Sequence, residues 1–194
     1  MKKLLFPLFL ISAFTTAKAQ TSLSNDCDSA IVQNKKIFKQ AYSFYSDTDR
    51  SLSPDNKYNH PDKISRLLEP LRRLDSATLV TVIKIFKDDT AYYGNILRKA
   101  DFFDKKLDTS LVKTKECQDR LPKDTALTEA QKKSFGRTLS DHSSEQGDLK
   151  GNLADLIKNV TKMWNGALGE LQKTEGKYAD LMNPAGGKKK KKKN

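Results

Sequence analysis

Two cysteines, two histidines and one tryptophan occur in 194 residues, and each scarcity removes a class of chemistry. His60 and His142 have no metal-ligand partner at useful spacing, so a metal centre built on them has no visible ligand set. The patterns G-x-S-x-G and H-E-x-x-H and the glycine-rich phosphate loop do not occur. The 24 acidic residues are scattered as solvated charge and are not grouped as paired catalytic carboxylates. Beyond the N-terminus no stretch is apolar enough to enter a bilayer, which takes about 20 residues. An enzyme is therefore not expected, nor is a cofactor.

The N-terminus itself, "MKKLLFPLFLISAFTTAKAQ", places Lys2 and Lys3 before an apolar stretch from Leu4 to Phe14, then small residues at Ala17 and Ala19. This order predicts a secretory signal peptide over 1–19, cut before Gln20, and a periplasmic or secreted protein of a bacterial envelope. Retention of the segment as an anchor is the competing expectation. In an oxidising compartment Cys27 and Cys117 have only each other, so a single disulfide is expected. It would close a loop of about 90 residues, a tie of at most about 4–5 kcal/mol.

The formal net charge is +12. Three of those charges belong to Lys2, Lys3 and Lys18 and six to the tail, leaving +3 on the body. A body this weakly basic argues against specific nucleic-acid binding. The tail, 184–194, ends in Lys188, Lys189, Lys190, Lys191, Lys192 and Lys193 behind two glycines and is expected to be disordered. Near an anionic surface each lysine contributes about 1 kcal/mol, which makes the six a salt-sensitive anchor. Anionic lipid, lipopolysaccharide or acidic polysaccharide would be its partner. A merely solubilising extension is the plainer alternative.

Between the ends the apolar residues repeat at helical spacing. After a linker over 20–26, a first helix is expected from Cys27 to about Tyr45, with Ile31, Phe38, Ala41, Tyr42 and Tyr45 on its apolar face. "SDTDRSLSPDNKYNHPD" reads as a loop, followed by a short helix from Asp62 to Glu69 that Pro70 interrupts. A long helix begins at an Asp75 cap and carries Leu79, Val80, Val82, Ile83, Phe86, Tyr93, Leu97, Ala100, Phe103, Leu107 and Leu111. Pro122 stops it. A last helix, from about Leu127 to Met182, alternates steps of four and three from Phe135 through Leu139, Gln146, Leu153, Val160 and Ala167 to Leu181, the mark of a coiled-coil seam. Gly147 and Gly151 make a break in it conceivable.

These elements predict one all-α domain over 27–183: an elongated antiparallel bundle, or coiled coil, of long helices. The middle helix would span about 65 Å at 1.5 Å per residue. The other segments would return beside it and bring the two cysteines to one end.

Three smaller signals complete the reading. Asp47, Asp49 and Ser51 fit the first ligand positions of a calcium loop, but Leu52 replaces the required glycine and Tyr58 the closing glutamate, so no metal site is expected. His142 falls on the seam of the last helix, where a polar residue sets register. The triplets beginning at Asp28, Asp75, Asp89 and Asp124 resemble a sugar-acceptor triplet of exported bacterial proteins, which makes Ser29, Ser76, Thr90 and Thr125 possible O-glycosylation sites. The expected role is binding: an unidentified protein partner through the bundle and an anionic surface through the tail. A self-associating coiled-coil spacer is the alternative.

Overall fold

The structure, a computed structural model, describes residues 5–53 and 75–183, with side chains described from Cys27 onward. Three α-helices pack together and, among the described residues, no strand occurs: α1 (Leu5–Leu52), α2 (Ser76–Arg120) and α3 (Glu129–Met182). The short helix expected after Asp62 and the tail from Pro184 lie outside the described residues.

The ends of the helices follow from local chemistry. Asp75 Oδ1 accepts the Thr78 backbone N–H at 2.8 Å and caps α2. Hydrogen bonding from the Thr78 side chain and backbone holds the Asp75 carboxyl below its ordinary value. A 3-10 turn, Leu121–Lys123, terminates α2 at Pro122, which has no N–H to continue the ladder. The buried Asp124 then accepts the Ala126 N–H at 2.8 Å, a local turn bond. Thr128 and Gln131 form a reciprocal capping box at the start of α3: Thr128 N–H donates to Gln131 Oε1 at 2.9 Å and Gln131 N–H to Thr128 Oγ1 at 3.3 Å.

α1 is longer than its apolar pattern indicates at both ends. It begins at Leu5 and runs through the segments read as leader and linker. It also continues through "SDTDR", which reads as loop, to Leu52. No glycine or proline occurs between Pro7 and Pro54 to interrupt it. Thr48 is buried, and the Ser51 hydroxyl donates to the Thr48 carbonyl at 2.8 Å and meets Tyr92 Oη at 2.9 Å. Tertiary contact thus overrides the turn preference of the serines and aspartates. Asp47, Asp49 and Ser51 consequently ride on a helix, which cannot wrap a cation as a calcium loop does.

The helices form two compact units. One joins Met1–Phe44 with Phe102–Ala154; the other joins Tyr45–Asp101 with Asp155–Asn194. In the first, Cys27, Ala30, Ile31, Cys117 and Leu139 make a buried cluster flanked by Phe135. In the second, Val82, Phe86 and Leu171 cluster with Ile83 against them. Also in the second unit, Trp164 Nε1 donates to the Thr90 carbonyl at 3.1 Å. The indole packs beside Gly94, where an added Cβ would lie 3.7 Å from Nε1, an ordinary contact distance.

Along α2 the buried positions Leu79, Val82, Phe86, Asp89, Tyr93, Ile96, Ala100, Leu107, Ser110, Thr114, Cys117 and Leu121 keep to steps of three, four and seven. On α3 the helix passes through Gly147 and Gly151 unbroken, both of them exposed. Some expected core residues lie outside. Val80 is 50% and Tyr42 54% exposed, because each sits one residue beyond the buried seam of its helix. Tyr42 covers part of its ring by stacking on Phe38. Leu181 is also largely exposed, near the end of α3.

Tyr93 gives the second unit a measurable signature. Burial first, then the neighbouring Asp89 carboxylate and Tyr92, push its phenol from 10.0 up to about 12. The raised value means the unfolded chain ionises first. The stability tied to the neutral phenol is therefore whole below pH 10 and is lost as pH rises from 10 to about 12. Tyrosine absorbance titration should show a late step near pH 12 that Tyr93→Phe removes, and urea stability of the wild type should fall over that window relative to Tyr93→Phe.

Candidate functional site

The sequence-predicted residues are not gathered in one place. Lys188 to Lys193 and His60 lie outside the described residues. Ser29 is exposed on α1, Ser76 is the exposed first residue of α2, and Thr125 is exposed in the connection between α2 and α3. Thr90 differs: it is half-buried within α2 and its hydroxyl donates to the Lys87 carbonyl at 2.9 Å. His142 is half-buried on the α3 seam, with Nδ1 3.3 Å from Glu145 Oε2 and Nε2 buried without a hydrogen-bond partner. Among the described residues no group of three His, Cys, Asp or Glu could hold a metal ion. No described helix is long and apolar enough to cross a membrane.

Cys27 and Cys117 are brought together. Their Cα atoms stand 5.8 Å apart, within the range a disulfide spans, and both side chains are buried. The pair joins α1 to α2 across 90 residues of sequence.

Beyond the cysteines the first unit contains a polar layer that the sequence reading only touched at Gln146. Asn34 of α1, Ser110 and Thr114 of α2 and Gln146 of α3 are almost wholly withdrawn from solvent. Asn34 Nδ2 donates to Thr114 Oγ1 at 2.6 Å and to the Ser110 carbonyl at 3.4 Å. The Thr114 hydroxyl donates back to the same carbonyl at 2.9 Å, and Gln146 Nε2 donates to Ser110 Oγ at 2.9 Å. One layer of side chains thus ties three helices through Ser110. Asn34 Oδ1 and Gln146 Oε1 are buried and accept from no protein donor. Because its bonds span three helices, the layer is satisfied only in one alignment of them. Its sequence signal was the phase of the repeat, since steps of three and four through Leu107 and Cys117 land on Ser110 and Thr114.

The outer surface of the same unit carries a groove of about 450 Å³ between α1 and α2. Lys36, Ile37 and Gln40 line it from α1, and Phe102, Phe103 and Lys106 from α2. Phe103 packs against Phe44 with ring centroids 5.3 Å apart, and Phe102 meets Phe103 edge-on at 5.3 Å. Lys106 Nζ stands 5.5 Å from the Phe102 centroid, a cation over a ring face. Phe102 is nonetheless 53% exposed. On another side of α2, Lys150 of α3 pairs with Asp108 and lies near Asp104, so those carboxylates are already engaged.

Two measurements test this interior. Ser110→Ala strips the acceptor from Gln146 and should cost about 1–3 kcal/mol in urea denaturation, whereas Val112→Ala, at a largely exposed position, should stay within about 0.5 kcal/mol. The oxidised protein should weigh two hydrogens less than the reduced one, and Cys27→Ser/Cys117→Ser should abolish that difference and lower stability by up to about 4–5 kcal/mol. Comparison of this chain with protein families, with curated proteins and with solved structures finds no match.

Proposed function

We propose that this is an exported, non-enzymatic helical protein of the cell envelope that acts by binding. Its helical body engages a protein partner and its lysine tail holds it beside an anionic surface. The observation that carries this reading is the division of its chemistry. Buried polar side chains such as Asn34, Ser110, Thr114 and Gln146 are spent on one another, tying helix to helix. Aromatic and cationic side chains such as Phe102, Tyr42, Lys36 and Lys106 face outward. A surface of that kind recognises partners; an interior of that kind holds a scaffold in register.

The finer architecture belongs to the same reading. Contacts within the first unit pair Cys27 with Cys117, Asn34 with Thr114 and Phe44 with Phe103, so numbers rise along α1 as they fall along α2. This supports an antiparallel bundle closed at one end by a Cys27–Cys117 disulfide that forms after export. Cleavage before Gln20 would leave a mature chain that still begins within α1. Of the four candidate acceptors, Ser29, Ser76 and Thr125 are accessible to a glycosylating enzyme in the folded protein, and Thr90 is the least so.

The tail is the part most directly tested. Six lysines at about 1 kcal/mol each on an anionic bilayer, screened over a Debye length of about 8 Å at physiological salt, predict binding that weakens steeply with ionic strength. Co-sedimentation with vesicles containing anionic lipid should show binding at low salt that vanishes at high salt. Deleting Lys188 to Lys193 should remove it. Equal binding by the tail-less protein would refute the anchor, and a concentration-dependent mass in solution would favour the self-associating spacer instead.

A further inference from the structure

We infer that the groove between α1 and α2 is a docking site for an acidic amphipathic helix of a protein partner, with an apolar stripe flanked by carboxylates. The inference rests on the binding role proposed above and deepens it by assigning the surface and the chemistry of the partner.

The groove has the three elements such a partner needs. Its floor is apolar: Ile37 and Phe103 are half-buried, and Phe102 rises beside them with half its surface still in water. Burial of apolar area is favourable, so the uncovered part of Phe102 is a store of binding free energy that folding leaves unused. Its walls are cationic on both sides, with Lys36 on α1 and Lys106 on α2, and no carboxylate lines it. Among the described residues neither lysine is held in an ion pair. Gln40 adds a neutral donor and acceptor at the edge.

The form of the partner follows from the form of the walls. Both walls are helices, and their lining residues recur one turn apart, Lys36 to Gln40 and Phe102 to Lys106. Such a trough accepts a third rod with anchors at i, i+3, i+4 and i+7. A small ligand is normally buried over most of its surface, which a trough with so exposed a rim does not provide. Charge decides the rest. Carboxylates on the two flanks of the incoming helix reach Lys36 and Lys106, and its central apolar side chain covers Phe102. A basic helix would meet two unpaired cations and be repelled. Lys106 already stands over the Phe102 ring, so pairing it with a carboxylate leaves that cation in place above the aromatic face.

The test uses the purified protein and a fluorescent peptide of about 18 residues, long enough to form an isolated helix, with a leucine stripe flanked by glutamates. Anisotropy should show saturable, salt-sensitive one-to-one binding. Phe102→Ala and the double variant Lys36→Glu/Lys106→Glu should each weaken it about tenfold or more, as removal of a central anchor does. A peptide with glutamine for glutamate should bind the wild type weakly. One with lysine for glutamate should recover binding on the double variant. All three positions are exposed, and an unchanged thermal midpoint would confirm that the variants fold. Absence of binding, equal binding to the variants, or a dimer of this chain that occupies the groove would each overturn the inference. Deleting Lys188 to Lys193 separates the two readings. Peptide binding should survive that deletion while vesicle binding is lost, and a peptide signal that disappears with the tail would refute the groove without touching the anchor.

Discussion

Along α2, from Leu79 to Ala100 and again from Leu107 to Cys117, a residue is withdrawn from water every three or four positions, and the packing within each unit depends on that seam. A stripe in steps of three and four winds slowly about its helix and stays aligned with neighbours only where they carry matching stripes. α3 does so through Leu139, Gln146, Leu149, Leu153, Leu156 and Val160, and α1 through Cys27, Ile31, Asn34 and Ala41. Most of the favourable free energy comes from this burial, at about 1.5–3 kcal/mol for each large aliphatic or aromatic side chain. None of the helices needs strong intrinsic propensity, and the exposed glycines of α3 are tolerated for that reason.

Burial alone would not choose among registers, because apolar contacts are non-directional. The polar layer around Ser110 supplies direction. Asn34, Thr114 and Gln146 reach their partners only when three helices are aligned to within a fraction of a turn. Slipping any one of them would leave buried amides and hydroxyls without partners, at about 1–3 kcal/mol apiece. The cysteine pair two turns of α1 away fixes the same alignment covalently once oxidised.

A scaffold held in this way leaves its outside to be something else. Phe102 and the two lysines of the α1–α2 groove lie outside the core, yet they need the register of the two helices to stand beside one another. Lys36 and Lys106 are seventy residues apart in sequence, and their pairing as two walls of one trough is a product of the seam and not of either segment. The six consecutive lysines of Lys188 to Lys193, by contrast, are adjacent in the sequence itself.

That contrast divides what could be read from the chain from what could not. Periodicity indicated the helices and the seam on α3, residue chemistry the cap at Asp75 and the stop at Pro122, and cysteine count with helix length the meeting of Cys27 with Cys117. It misjudged Val80 and Tyr42, since a residue one step beyond the stripe looks as apolar as one on it, and it ended α1 at serines and aspartates that Thr48 and Tyr92 hold in helix. It also missed Asn34, Ser110 and Thr114 in the core, because polarity hides a residue from an apolar count. By itself the sequence determined the helical rods and the charge of the two ends; only tertiary packing decided which polar groups lie inside and which apolar groups remain outside. The reason is that hydrogen bonds and exposure belong to pairs of helices, and a repeat of three and four describes only one.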